Sequence, residues 1–181
     1  MSTTSKASQR IAALLDDNSF VEIGGLVTAR ATDFNLPPNE TPSDGCITGY
    51  GVINGNLVYV YSQDASVLNG TIGEMHAKKI TNLYDLAMKT GAPVIGLIES
   101  AGLRLQEATD ALAAFGEIYL KQTMASGVIP QITAVFGTCG GGLGLFPTMT
   151  DFTFMEEKNA KLFVNAPNAL DGNVITKCDY S

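Results

Sequence analysis

Residues 93–104 read PVIGLIESAGLR, an apolar run from Pro93 to Ile98 that stops in the small-residue turn Glu99-Ser100-Ala101-Gly102. A run without polar alternation is what a strand buried on both faces requires. The sequence then turns helical in period, with Leu105, Ala108, Leu112, Phe115 and Leu120 recurring on one expected inner face until Ser126-Gly127 ends it. A second apolar run, Gln131 to Phe136, leads into a glycine-rich stretch from Gly137 to Gly144 and an expected further helix. Twice, then, a buried strand ends in a small-residue turn that opens into a helix. That is the βαβ signature of an α/β fold, and by itself it predicts an open parallel sheet.

Working outward, Ser8 is expected to cap a short helix with an inner stripe of Ile11, Leu14 and Leu15, closed by Asp16 to Ser19. Phe20 to Ile23 reads as a strand, and Gly24 to Gly45, with Pro37, Pro38 and Pro42, as an exposed connection. Cys46–Ile53 and Leu57–Gln63 form a predicted hairpin across Asn54-Gly55, a pair that tolerates the positive φ a two-residue turn demands. Ile72, His76, Ile80, Leu83 and Ala87 mark a helix closed by Gly91 and Pro93, with His76 on its inner face. Phe152–Met155 and Lys161–Val164 read as two short strands with Glu156 to Asn159 as the turn between them.

Composition narrows the function classes. The 181 residues suit one domain, and only 16% are charged against a typical ~25%, so much of the chain is expected to be buried. Eleven basic residues face 18 acidic ones without a basic stripe, which argues against nucleic acid. The polar N-terminus carries no apolar stretch behind it, so the expectation is a cytoplasmic protein without direct membrane insertion. Cys46, Cys139 and Cys178 form no metal-ligand pair, and one histidine, His76, excludes chemistry that needs two imidazoles. No metal is expected.

Small residues at the carboxyl end of a buried strand let a substrate approach the main chain, where a following helix presents unpaired N–H groups. Both turns fit this pattern. The P-loop pattern fails because Leu143, not Lys, follows Gly142, and no GxGxxG spacing occurs in the glycine-rich stretch. Gly137-Thr-Cys139-Gly-Gly141 matches a nucleophile elbow, but no histidine follows it, so Cys139 reads as a small buried residue. The remaining options are an oxyanion site made of backbone donors or two tight turns with no chemistry, and spacing alone leaves both open.

Asp44 to Gly51, Tyr61 to Asp64, Gly91 to Gly96, Glu99 to Glu107, Ala125 to Gln131 and Thr150 to Phe152 resemble, in order and spacing, the carboxyltransferase subunits of biotin-dependent acyl-CoA carboxylases and decarboxylases. The resemblance runs from about residue 10 to 168. It implies a crotonase-like superhelix of ββα units in place of a simple open sheet, with residues 1–181 as the N-terminal, acyl-CoA-binding domain. It also implies a carboxyl group moved between carboxybiotin on a carrier protein and the α-carbon of an acyl-CoA, through an enolate held by two backbone N–H groups. By position these fall on Leu103 and Gly142, with Ala101, Gly102, Gly140 and Gly141 keeping the backbone open and Asn69-Gly70 near the pantetheine path. The implied partners are acyl-CoA, a C-terminal carboxyltransferase domain that completes the site, a biotin carboxyl carrier protein and further copies of the chain. Alone, the chain is expected to be inactive. The alternatives are a non-catalytic fragment that binds acyl-CoA or a partner, and a crotonase-type hydratase or isomerase using Glu99 or Glu107. Structural roles are expected for His76, in the interior, and for Arg104, paired with Glu107 across a helical turn.

Overall fold

The computed structural model describes residues 5–30 and 40–165. Strands β1 (Val21–Ile23), β2 (Cys46–Ile53) and β3 (Asn56–Gln63) pair antiparallel in sequence order. From β3 the chain continues through α2 (Glu74–Thr90), β4 (Val94–Ser100), α3 (Ala108–Ala125) and β5 (Gln131–Gly140), and β3, β4 and β5 are parallel neighbours. The strand order runs consecutively, so the sheet winds one way and lacks the reversal of a doubly wound fold. Short strands β6 (Phe152–Met155) and β7 (Lys161–Phe163) both lie parallel to β5, β6 along its first half and β7 along its last three residues. They do not form the pair that a single turn between them suggests.

Local chemistry explains most boundaries. Asn54 and Gly55 have φ of 49° and 78°, the conformation of a tight hairpin turn, and the Asp16 carboxylate accepts both of their N–H groups at 3.0 Å. Helix α2 ends where Gly91 adopts φ 69°. Helix α1 (Lys6–Leu14) is capped by Ser5, whose hydroxyl accepts from the Ser8 amide, so the expected cap at Ser8 is displaced by one turn. Ser8 instead lies buried inside the helix, its hydroxyl donating to the Ser5 carbonyl at 2.8 Å.

The sheet divides the core. Val94 and Ile98 of β4 pack under α2 and α3, whereas Ile95 and Leu97 face the cluster formed with α1, an alternation that requires cover on both sides. The inner face of α3 is Ala111, Ala114, Phe115, Ile118, Gln122 and Ala125. Leu105, Leu112 and Leu120, predicted to face inward, are 77%, 61% and 56% exposed. Three alanines on the buried face let α3 sit close to α2, leaving the leucines on the opposite surface. The expected helix after the glycine-rich turn is a single turn, α4 (Leu145–Thr148).

The connection before β2 also departs from expectation. Residues 31–39 lie outside the described residues, but Thr41, Ser43 and Asp44 are buried, the last completely. Asp44 sits against the start of α2, where its carboxylate accepts the His76 N–H at 2.7 Å. Glu107, also buried, accepts the Glu74 N–H at 2.6 Å, so two carboxylates cap the positive end of one helix. Arg104 neutralises both: its Nη1 lies 2.7 Å from Asp44 and 2.9 Å from Glu107, and its Nη2 donates to the Thr71 carbonyl at 2.7 Å.

Replacing Arg104 leaves two buried carboxylates without their cation, a change that typically costs ~3–5 kcal/mol. Arg104→Leu is expected to lower the urea midpoint accordingly. Arg104→Lys should recover only part of the loss, because a single ammonium cannot reproduce the guanidinium fork. A midpoint for Arg104→Leu equal to wild type would remove the cluster from the stability account.

Candidate functional site

The site begins at an irregularity between β4 and β5. Ile98 is opposite Val135, but the next paired residues are Ser100 and Cys139, so β5 carries two more residues than β4 across the same gap. The extra residues bend β5 just before both small-residue turns emerge, and the strands pair again at Ser100 and Cys139. Ser100 Oγ accepts the Gly102 N–H at 3.1 Å and turns the chain. Gly102, at φ 98°, brings the first turn against the second: a Cβ built on it would lie 3.4 Å from the Gly140 carbonyl oxygen.

Each turn leaves an amide directed away from its own scaffold. Ile72 N–H donates to Gly102 O at 2.8 Å and Arg104 N–H donates to Ile72 O at 3.0 Å, a parallel bridge centred on Leu103. Peptide groups alternate along an extended segment, so the Leu103 N–H points to the side opposite Ile72. In the second turn, residues 141–144 form a 3-10 turn with Gly140 as its cap, and the Gly142 amide precedes the first hydrogen bond inside that turn. Ala101, Gly102, Leu103, Gly140, Gly141 and Gly142 line one cleft of about 560 Å³. Its remaining wall is mostly apolar, with Leu112, Phe115, Gly116 and Tyr119 from α3, Phe163 at the end of β7 and Val164 after it.

The structure therefore gathers six of the eight predicted positions. Asn69 and Gly70 are not in the cleft lining. They stand behind the first turn, where Asn69 O accepts the Ala101 N–H at 3.0 Å and a Cβ on Gly70 would be 2.5 Å from the Glu99 carbonyl oxygen. Tyr119 was not identified in the sequence, although it follows Phe115 by one helical turn on the same face, which was a usable signal. Cys139 is buried with its thiol pushed up to about 12 by loss of solvent, so it holds no ready thiolate. Glu99 is paired with Arg10, whose guanidinium stacks 4.5 Å from the Phe136 ring centre, and Glu107 is committed to Arg104 and α2. Neither lines the cleft.

His76, in the first turn of α2, is fully buried. Its Nδ1 is 3.0 Å from the Asp44 carbonyl and its Nε2 is 3.2 Å from Gln63 Nε2. Burial first, then the positive charge of Arg104, pull its pKa down to about 3, so the ring is neutral at ordinary pH.

A family model for the carboxyl transferase domain matches residues 4–178. The chain belongs to that family. This carboxyl transferase domain is 48% identical over 164 residues to the propionyl-CoA carboxylase beta chain of Roseobacter denitrificans, and 48% identical over 161 residues to methylmalonyl-CoA decarboxylase subunit alpha of Veillonella parvula. Those alignments cover 91% and 89% of this chain but 32% of each relative, so it spans about one third of the length of the curated relatives it matches. Transcarboxylase 12S, solved with methylmalonyl-coenzyme A bound, superposes with a TM-score of 0.86 at 36% identity over 90% of this chain and 32% of that one. A malonate decarboxylase hetero-tetramer from Pseudomonas gives a TM-score of 0.77 at 25% identity, covering 90% and 62%. The α/β fold of ββα units is thus the crotonase-like one of carboxyltransferase structures, as the resemblance implied. No helix among the described residues is long and apolar enough to cross a membrane.

The carboxyl transferase domain has one titrating imidazole, and its pKa is lowered on folding from near 6.5 to about 3. Between those values the unfolded chain binds the extra proton, so stability falls as pH falls through this window. Asp44, raised by burial, works in the opposite sense, which a comparison with a variant removes. From pH 7 to pH 5, wild type is expected to lose about 2 kcal/mol more than His76→Gln in urea unfolding. Parallel losses in the two proteins would contradict a buried neutral His76.

Proposed function

We propose that this chain is the acyl-CoA-binding half of a biotin-dependent carboxyltransferase, with the Leu103 and Gly142 amides as its oxyanion hole. The observation that carries the reading is the convergence of the two turns on one cleft, with backbone donors on its floor and an apolar wall from α3. A thioester placed there would direct its carbonyl oxygen at the two N–H groups. When the α-carbon loses its proton, negative charge moves onto that oxygen, and each donor strengthens as the charge grows. Removal of one such donor costs ~2.7–4 kcal/mol in comparable sites. Because both donors are main chain, the Leu103 side chain is free to shape the pocket.

Two converging donors suit one developing oxyanion, so they fit the thioester and leave the biotin to be held elsewhere. Carboxybiotin on its carrier supplies the carboxyl group and, once free of it, a base for the α-proton. We assign its binding to a C-terminal carboxyltransferase domain, with residues 1–181 acting as the N-terminal one. The same groups serve carboxylation of an acyl-CoA or decarboxylation of a malonyl-type thioester. Acid–base chemistry of the hydratase type is disfavoured, since Glu99 and Glu107 are tied to arginines outside the cleft. The exposed Leu120 and Met124 of α3, with Val128 just beyond its end, support association with the complementary domain or with further copies of the chain.

The test is complementation. With free biotin and a malonyl-type thioester as the carboxyl donor, the purified chain is expected to give no carboxybiotin by mass spectrometry, and carboxybiotin with the decarboxylated thioester should appear when a separately made C-terminal domain is added. Robust transfer by the chain alone would refute the half-site assignment. Acyl-CoA binding without turnover in the mixture would favour a non-catalytic fragment.

A further inference from the structure

We infer that Tyr119 is a positioning residue, its hydroxyl fixing Gly142 so that the Gly142 amide faces the cleft. The inference rests on the reading of Gly142 as an oxyanion donor. Glycine has the freest backbone of any residue, and Gly142 stands in a 3-10 turn before a helix of only four residues, a poor place to hold a donor without help.

Tyr119 supplies that help. Its hydroxyl donates to the Gly142 carbonyl at 2.5 Å, and the same oxygen accepts the Leu145 N–H, so the Gly142–Leu143 peptide is held from two directions and the neighbouring peptide, which carries the Gly142 N–H, is joined to it through one Cα. A Cβ on Gly142 would lie 2.9 Å from the tyrosine hydroxyl, which therefore occupies the space a side chain would need. The phenol ring is itself fixed, edge-on to Phe146 at 5.5 Å and to Phe115 at 6.1 Å. Partial burial raises the phenol pKa, so the group remains a donor across the working pH range. With its proton committed to the Gly142 carbonyl, the hydroxyl acts through Gly142 rather than on the substrate.

Tyr119→Phe keeps the ring and removes only the hydroxyl. The test is calorimetric titration of wild type and variant with two probes: propionyl-CoA, and the nitronate of 2-nitropropionyl-CoA, a stable anion that keeps the thioester carbonyl and shares its α-carbanion charge with that oxygen. The expected result is about a tenfold loss of nitronate affinity in Tyr119→Phe with propionyl-CoA affinity changed less than about twofold. An unchanged ratio of the two affinities, whether both hold or both fall together, overturns the positioning role while leaving the oxyanion reading intact. A wild-type protein that binds the nitronate no better than propionyl-CoA removes the oxyanion reading and this inference with it.

Discussion

One buried guanidinium organises the region around the cleft. Arg104 joins Asp44, from the connection before β2, to Glu107, at the start of α3, and both carboxylates cap the amino end of α2. Three segments far apart in sequence therefore meet at one point. Its main chain is bound as firmly as its side chain, through the hydrogen bond to Ile72 that lies next to Leu103. A buried ion cluster of this kind is a weak source of net stability but a strong source of geometry, because any arrangement that separates its members strands a charge away from water. The orientation of the Leu103 amide is a by-product of that requirement.

The second proposed donor, the Gly142 N–H, depends on a different device. Around Gly142 the restraint is neutral, formed by the Tyr119 hydroxyl and the aromatic contacts of Phe115 and Phe146. The cleft is thus held on one side by charge and on the other by packed rings, and neither support depends on a ligand. Donors fixed before the substrate arrives need no reorganisation when charge develops, which is the physical basis of catalysis by main-chain N–H groups.

Much of this was legible where the signal is local. Asn54-Gly55 specified its hairpin through the φ values that two residues must adopt, and the run at 93–98 announced a strand buried on both faces because it lacks alternation, whereas the run at 131–136 forms a strand whose residues alternate between buried and half-buried. The small-residue turns at 99–102 and 137–144 marked the cleft floor for the same reason: only such residues let backbone approach backbone. What failed was long-range or compositional. Asp44 sits 60 positions before Arg104, so the pairing with Glu107 could be read from helical spacing and the pairing with Asp44 could not. The inner face of α3 was misassigned because leucine outweighs alanine in any hydrophobic pattern, whereas close packing against α2 favours the alanines. Asn69 and Gly70 lie outside the cleft lining, where the Asn69 carbonyl accepts the Ala101 N–H and supports the first turn from behind.

The central claim is that two peptide nitrogens share one substrate oxygen. A crystal structure of the chain with an acyl-CoA thioester, or a non-hydrolysable analogue of one, tests this most directly. The account predicts the thioester oxygen at about 2.7–3.1 Å from the nitrogens of both Leu103 and Gly142. A thioester bound with its oxygen directed away from either nitrogen, or held outside the cleft altogether, would contradict it.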